Sequence, residues 1–206
     1  MVNNFKNSGE LKKEMEELFK IKGEVRGAGV RGAYLYLKDK IKEEQIKMVD
    51  KKINELGYPI KIDEIRAMSW YPVGLAVIYL LVAKQILNFD ETKIEEIGKV
   101  AAKFSLIEKL LGRYFLSPQK TYQMASKQWQ KYFNVGSLEA PEINLEKKYL
   151  ILQIKDFKIH PILCIYFRGY IQTVASFVIK AKKFRCEERK CMFKGDPYHE
   201  FIARWK

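Results

Sequence analysis

The residues with the clearest chemical potential lie together in the last fifth of the chain. This part contains all three cysteines, Cys164, Cys186 and Cys191, and one of the two histidines, His199. Glu188 precedes Cys191 by three positions, and a Gly-Asp-Pro turn signal separates Cys191 from His199. Thiolate, imidazole and carboxylate groups are the ligand types that zinc takes. These residue types therefore indicate a metal site at a tight connection.

Two strands are expected to hold these groups on either side of the connection. Before it, apolar and charged residues alternate from Phe184, and after it they alternate again from His199 to Trp205. Such alternation is typical of half-buried strands. The pattern predicts a terminal hairpin in which Cys191 and His199 face each other.

The same segment carries a resemblance to a known family. It contains the run Glu188-x2-Cys191-x3-Gly195-Asp196-x2-His199, followed by Glu-Phe-Ile-x-x-Trp. This run resembles the C-terminal signature of the 4-vinyl reductase domain family, over about residues 160–206. That family includes phenol- and xylene-sensing domains of bacterial transcription activators and archaeal proteins called hydrocarbon-binding. Its members usually have cysteine where this chain has His199, which is also an accepted zinc ligand.

The resemblance implies a particular set of metal ligands. In the sensor branch a further cysteine lies upstream of a Gly-Tyr pair, and Cys164 has that relation to a Gly-Tyr pair here. The implied zinc set is Cys164, Glu188, Cys191 and His199, which would be closed and structural rather than catalytic. Cys186 is the alternative fourth ligand, because it lies close in sequence. The alternative without metal is a set of buried free cysteines beside an exposed glutamate and a surface histidine.

The function implied by the resemblance is the binding or sensing of a small apolar or aromatic molecule by a non-catalytic domain. The fold it implies is shared with small subunits of the TRAPP vesicle-tethering complex and is often dimeric. A homodimer or a separate signalling partner would then receive the signal. The alternative is a protein-interaction module like those tethering subunits, without a ligand. An enzyme acting on a tetrapyrrole is suggested only by the family's name.

Six aromatic residues are candidates to line a ligand pocket, with ordinary core packing as the alternative for each. They are Trp70, Tyr71, Phe115, Trp129, Tyr166 and Tyr170. The contacts that the family makes with its ligands have no matching motif in this chain. The pocket is therefore predicted from residue type alone.

Hydrophobic periodicity predicts the elements that position these residues. Helices are expected over 8–21, from near residue 33, and over 43–56, 72–87, 91–105, 106–116, 118–133 and 162–180. A strand is expected over 149–157, paired with the segment around 138–143. The sequence thus predicts a single α+β domain over 1–206, with an N-terminal helical extension at 1–22. Its mainly helical first two thirds would pack on a small antiparallel sheet that ends in the hairpin.

The composition of the chain limits its possible binding partners and the cellular compartment expected for it. The net charge of +13 raises nucleic acid or an anionic surface as candidates, but the lysines are spread along the chain. We therefore expect a solvated basic surface without specific nucleic-acid binding. The odd cysteine count and polar start favour a reducing, cytoplasmic setting. The longest apolar stretch, 72–87, is shorter than the roughly 20 residues that a membrane span needs.

No catalytic motif is recognisable, so the sequence does not predict an enzyme. Gly27, Gly29 and Gly32 fit the G-x-G-x-x-G pattern, but no apolar strand precedes them. A nucleophile elbow, a P-loop, His-Glu-x-x-His and Cys-x-x-Cys are all missing from the sequence. A haem-based NO sensor of distantly similar fold would need an axial histidine on a helix. None of the predicted helices contains one, and His160 falls in a loop.

Overall fold

The structure is a computed structural model that describes residues 8–58, 60–104, 124–179, 181 and 183–206. Its α-helices are α1 (Ser8–Lys20), α2 (Gly27–Lys40), α3 (Glu43–Glu55), α4 (Val73–Ile86), α5 (Glu91–Phe104), α6 (Ala125–Tyr132) and α7 (Ile162–Val178). Its strands are β1 (Glu24–Arg26), β2 (Trp70–Pro72), β3 (Ser137–Asn144), β4 (Tyr149–Lys155), β5 (Phe184–Lys190) and β6 (Tyr198–Trp205). The helix predicted over 106–116 and the start of the one predicted over 118–133 lie outside these ranges.

The α+β class predicted from the sequence is confirmed. A four-stranded antiparallel sheet has the order β3-β4-β6-β5, and β1 pairs with β2 in a separate two-stranded sheet. The C-terminal hairpin joins β5 to β6, with Glu188 opposite Phe201 and Cys186 opposite Ala203. Residues directly opposite each other share a face of a sheet. Phe201, Ala203 and Cys186 are buried in the common core with the helices.

Helix α4 lies at the centre of the helical part. It is apolar on almost every side, and its residues from Val73 to Ala83 are buried with the exception of Ala76. A helix that is hydrophobic all round must be covered on all sides. The neighbouring helices α1, α2 and α3 supply that cover through single apolar faces, such as Leu11, Met15 and Leu18 of α1.

Helices α5 and α7 cross each other unusually closely. A Cβ atom added to Gly98 of α5 would lie 2.0 Å from the carbonyl oxygen of Tyr166, and one added to Gly169 of α7 would lie 2.0 Å from that of Glu95. Each glycine therefore admits the backbone of the other helix. This crossing fixes the position of α7, which carries Cys164.

The start of α2 differs from the sequence prediction. The glycine-rich segment was expected to be a flexible entry to a helix that begins near Ala33, but the helix begins at Gly27. Two carbonyl oxygens of the 66–69 turn account for the difference. The backbone N–H of Gly27 donates to Ser69 at 2.9 Å, and that of Ala28 donates to Ala67 at 2.9 Å. These tertiary hydrogen bonds satisfy donors that a helix start otherwise leaves unpaired.

In the described part of the chain, no helix combines the length and apolar character required to cross a membrane.

Candidate functional site

The four residues implied as metal ligands meet at one end of the sheet. Cys164 comes from the first turn of α7, Glu188 from β5, Cys191 from the connection after β5, and His199 from β6. One candidate ligand atom from each residue lies within 4.8 Å of all the others. We call these four side chains the buried cluster. Cys164, Cys191 and His199 are buried, and the side chain of Glu188 is 15% exposed.

The distances within the buried cluster suit a tetrahedral site. The Sγ atoms of Cys164 and Cys191 are 3.8 Å apart, and Cys164 Sγ lies 3.6 Å from His199 Nδ1. His199 Nδ1 lies 3.1 Å from Glu188 Oε1. A tetrahedron with metal–ligand bonds of about 2.0–2.3 Å has edges of roughly 3.3–3.8 Å. These three separations are therefore close to those that one bound ion would impose, and every pair of ligand atoms lies within 4.8 Å.

The orientation of His199 is set by a backbone carbonyl. Its Nε2 lies 3.3 Å from the carbonyl oxygen of Phe157. Because a carbonyl oxygen only accepts, Nε2 carries a hydrogen, and Nδ1 is the ring nitrogen that faces the cluster, where it lies against Glu188 Oε1. A histidine held by an outer hydrogen bond in this way is a prepared metal ligand.

The connection after β5 is shaped by Gly195 and Asp196. Gly195 has φ of 96°, in the left-handed region that favours glycine. Asp196 Oδ2 accepts a hydrogen bond from the backbone N–H of Cys191 at 2.7 Å. These contacts explain why the Gly-Asp pair stands between Cys191 and His199, and they fix the cysteine beneath the turn.

Burial and charge affect the acid groups of the cluster in opposite directions. Burial raises the pKa of Cys164, and the neighbouring Glu188 carboxylate raises it further. Burial also acts to raise the pKa of Glu188, but hydrogen bonds from His199, Cys164 and Cys191 outweigh it, so that pKa lies below its usual value. The Glu188 carboxylate is therefore stabilised by its neighbours, whereas the thiolate form of Cys164 is disfavoured.

Cys186 lies outside the buried cluster. It precedes Glu188 by two positions on β5, so the two Cα atoms are about 7 Å apart along the strand. Its side chain is buried in the core, and burial, followed by the Glu95 charge, raises its pKa to about 12. The geometry thus groups Cys164, and not Cys186, with the other three residues.

An apolar cavity of about 210 Å³ lies between the helices and the sheet. Its described lining comes from β1, α2, α4, α5, α6, β3, β4 and α7, and from Phe133 and Ile179 just beyond helix ends. None of these lining residues is charged. The polar side chains among them are Gln128, Tyr132, Tyr166 and Tyr170.

Three of the six aromatic residues that the sequence suggested for a pocket line this cavity, and the other three are not among its described lining residues. Trp129, Tyr166 and Tyr170 line the cavity. Trp70 instead lies beneath the guanidinium group of Arg26, whose Cζ is 3.8 Å from its ring centroid. The Tyr71 hydroxyl accepts a hydrogen bond from the backbone N–H of Arg66 at 3.0 Å. Both belong to the β1–β2 ribbon rather than the cavity wall, and Phe115 lies outside the described residues.

Sequence reasoning missed Gln128 and most of the aliphatic lining. Alternation along β4 is a signal for the strand lining, because Leu150, Leu152 and Ile154 occupy every second position. His160 lies in the loop just before α7, as the sequence predicted. Its Nδ1 accepts from the backbone N–H of Ile162 at 3.0 Å, and its Nε2 is 3.1 Å from Glu14.

No family model and no curated protein matches the chain. Membership of the 4-vinyl reductase family therefore stays a prediction. Comparison with solved structures, in contrast, gives clear matches.

The solved structures that match over most of the chain include H-NOX proteins. An Fe(II) unliganded mutant of the H-NOX protein from K. algicida has a TM-score of 0.62 at 12% identity, over 88% of this chain and 96% of that one. The chain resembles H-NOX domains in its fold. A second solved structure, whose description concerns haem redox potential and porphyrin distortion, has a TM-score of 0.58 at 15% identity, over 87% of this chain and 92% of that one.

A TRAPP subunit also matches, but more weakly. Trafficking protein particle complex subunit 3 from Naegleria fowleri, covalently bound to palmitic acid, has a TM-score of 0.42 at 17% identity, over 62% of this chain and 89% of that one. A likeness at that level supports no conclusion about this chain.

The H-NOX matches contradict the prediction of zinc as the cofactor, because the metal in the descriptions of these neighbours is iron, and in one of them the iron of haem. Haem itself does not fit the residues of this chain. Proteins hold haem iron through histidine, cysteine, methionine or tyrosine. The described cavity lining includes none of the first three, and the two histidines of the sequence, His160 and His199, are engaged elsewhere.

Two of the three tyrosines in the described cavity lining are held as neutral phenols. Burial raises the pKa of both Tyr132 and Tyr166. The phenolate form of these two residues is therefore disfavoured. The chain resembles H-NOX domains in its fold, but the described part of its cavity lining offers no histidine, cysteine or methionine to haem iron.

Proposed function

We propose that this chain is a non-catalytic domain that binds a small apolar molecule in the cavity between its helices and its sheet. The cavity itself is the observation that supports this function. It is larger than an engineered cavity of roughly 150 Å³ that is known to take up benzene. The H-NOX neighbours are described in liganded and unliganded states, which agrees with a small-molecule binding function for this fold.

The expected affinity follows from the lining. An apolar wall offers transfer free energy of roughly 0.8 kcal/mol for each carbon group removed from water. A molecule with seven or eight carbons would gain about 6 kcal/mol, which corresponds to a dissociation constant of tens of micromolar. Charged ligands are disfavoured, because none of the described lining residues could compensate their loss of hydration.

Native mass spectrometry of freshly purified protein should detect a co-purified apolar molecule, and calorimetry with ethylbenzene should detect binding to the ligand-free protein. Ala33 on α2 is buried and lines the cavity, so Ala33→Leu should fill part of it and weaken ethylbenzene binding at least tenfold. The folded state should tolerate this change, because the added carbons enter empty space.

Ala102 on α5 is the matched control. It is equally buried but does not line the cavity, so Ala102→Leu should cost about 1–3 kcal/mol of stability through overpacking and leave ethylbenzene affinity unchanged. Failure of the wild-type protein to bind ethylbenzene or any co-purified apolar molecule would refute the proposed function.

We further propose that the buried cluster holds a metal ion. Four ligand atoms within 4.8 Å of one another and a histidine prepared by Phe157 support this assignment. The ion would connect the C-terminal hairpin to α7. Its role would be structural, because all four positions of a tetrahedral site would be filled by the protein.

Elemental analysis of protein purified without added metal should find about one metal ion per chain. Cys191→Ala should abolish it, whereas Cys186→Ala, which removes a buried cysteine outside the cluster, should retain it. Wild-type protein without metal, and with the same stability after treatment with a chelator, would contradict the metal assignment without affecting the ligand-binding proposal.

The partner of the domain is proposed to be a second copy of the chain, with a separate signalling protein as the alternative. Ligand binding would change the exposed surface that the partner recognises. Light scattering of the protein with and without ethylbenzene should show a dimer that responds to the ligand. A monomer under both conditions would favour a separate partner.

A further inference from the structure

Gln128 is the one residue of the described cavity lining with a side-chain amide. It lies on α6 next to Trp129, and its Oε1 atom is buried without a hydrogen-bond partner. The other described lining residues are hydrocarbon or aromatic, three of them tyrosines. An amide in such a wall has no evident packing advantage over leucine.

An unpaired buried carbonyl is unfavourable. Folded proteins pair nearly all of their buried polar atoms, and the exceptions call for an explanation. The terminal amide of glutamine rotates broadly about its last torsion, so its oxygen can turn towards a molecule in the cavity. A ligand that donates a hydrogen bond would therefore remove an unfavourable feature of the empty protein.

The polar group of such a ligand is restricted by the rest of the wall. An ionised group would lose its hydration without a counter-charge from the described lining. A hydroxyl is neutral and donates the hydrogen that the unpaired Gln128 oxygen lacks. One such group is sufficient, because the rest of the described lining is hydrocarbon apart from aromatic side chains.

We infer that the ligand of this cavity is a neutral alcohol, an apolar body of about seven to nine carbons with one hydroxyl that pairs with Gln128. The inference rests on the proposed function and specifies its ligand class. Gln128 acts here as the specificity-determining residue, while the apolar wall supplies most of the affinity.

A pair of isosteric probes tests the inference. Benzyl alcohol and ethylbenzene differ by the exchange of a hydroxyl for a methyl group, so the ratio of their affinities measures the contribution of the polar contact. Replacing Gln128 with leucine should lower the affinity of benzyl alcohol relative to ethylbenzene by roughly three- to tenfold, the range of one neutral hydrogen bond. Ethylbenzene should bind the variant at least as well as it binds the wild type.

Gln130, an exposed glutamine on the same helix, provides the matched control, and Gln130→Leu should leave the affinity ratio unchanged. Gln128→Met is a second variant with a flexible side chain, for use if the leucine does not pack. An unchanged ratio in both Gln128 variants would overturn the alcohol inference while ethylbenzene binding upheld the proposed function. Absence of binding by both probes to the wild type would instead refute the proposed function.

Discussion

At the scale of single residues, the chemistry of the buried cluster depends on how His199 and Glu188 are held. The Phe157 carbonyl pairs with His199 Nε2 and so directs Nδ1 towards the cluster, and Glu188 is the group whose charge the neighbouring side chains stabilise. Two sulfur atoms and an imidazole surround one carboxylate within a largely apolar core. The charge of Glu188 should therefore make a measurable contribution to the free energy of unfolding.

The pH dependence of stability tests the state of Glu188. Its folded pKa lies below the ordinary value of 4.5, so its contribution is fully present above about pH 4.5 and is lost as pH falls through the folded pKa. In metal-free protein, Glu188→Gln should lower the free energy of unfolding at pH 7 by about 1–3 kcal/mol. The difference between wild type and variant should shrink in urea denaturation as pH falls below 4.5.

The matched control for this change is Glu187→Gln, on the neighbouring position of β5, where the carboxylate pairs with Arg185 near the surface. Exposed ion pairs contribute little, so this variant should stay within about 0.5 kcal/mol of wild type at every pH. A Glu188→Gln difference that stayed constant from pH 7 to pH 3 would show that its charge does not matter to the fold.

At the scale of elements, sequence periodicity predicted the secondary structure of segments whose structure depends on local sequence. The helices over 43–56, 72–87 and 91–105 correspond closely to α3, α4 and α5, because each keeps its apolar spacing, and α4 and α5 also begin directly after Pro72 and Asp90. The β3–β4 pair and the terminal hairpin were predicted from alternation. The start of α2 was missed, because it depends on hydrogen bonds from a turn some 40 residues away.

The crossing of α5 and α7 gives a prediction at this scale. Gly98→Ala should place a Cβ atom against the Tyr166 carbonyl, which α7 cannot move without losing its own contacts. Alanine otherwise favours a helix over glycine by about 1 kcal/mol. We expect a net loss of about 2–4 kcal/mol in the free energy of unfolding, measured by chemical denaturation.

Gly29→Ala in α2 supplies the comparison. There the added Cβ meets only a side-chain methyl of Val25, at 2.7 Å, and no backbone atom. The loss should be clearly smaller than at Gly98, because a side chain beside a cavity can shift. Equal losses at both positions would mean that the close helix crossing has no special energetic role.

At the scale of the whole molecule, the candidate sites were predictable to different extents. Three of the four cluster residues come from one short run of sequence, so their grouping followed from spacing and a resemblance. The cavity wall is assembled from eight elements, of which α7 supplies eight lining residues and each of the others supplies four or fewer, as β1 does with Val25. Such a surface has no local signature. Residue type alone placed Trp129 and Tyr166 there but also suggested Trp70, which the β1–β2 ribbon holds elsewhere.

The cavity and the buried cluster are connected through Phe157. Its carbonyl oxygen accepts a hydrogen bond from His199 Nε2. Its ring centroid lies 5.0 Å from that of Trp129 and 5.9 Å from that of Phe167, and both of these residues line the cavity. Cys164 and Leu163 add a second connection, because consecutive residues of α7 face the cluster and the cavity. On the proposed metal assignment, an ion that orders His199 would also order part of the cavity wall.

This connection predicts that metal and ligand bind cooperatively. Removing the metal with a chelator should weaken ethylbenzene binding about five- to tenfold in calorimetry, near the lower end of ordinary coupling energies. Thermodynamic linkage requires ethylbenzene to raise the affinity for the metal by the same factor, so titrating the ion with and without ethylbenzene checks the result independently.

Phe157→Leu keeps the carbonyl that orients His199 but removes the ring between the sites, so it should bind metal normally and lose most of the coupling. If metal removal changed ethylbenzene affinity equally in wild type and Phe157→Leu, the coupling would have to run through α7, where Leu163 and Cys164 are adjacent.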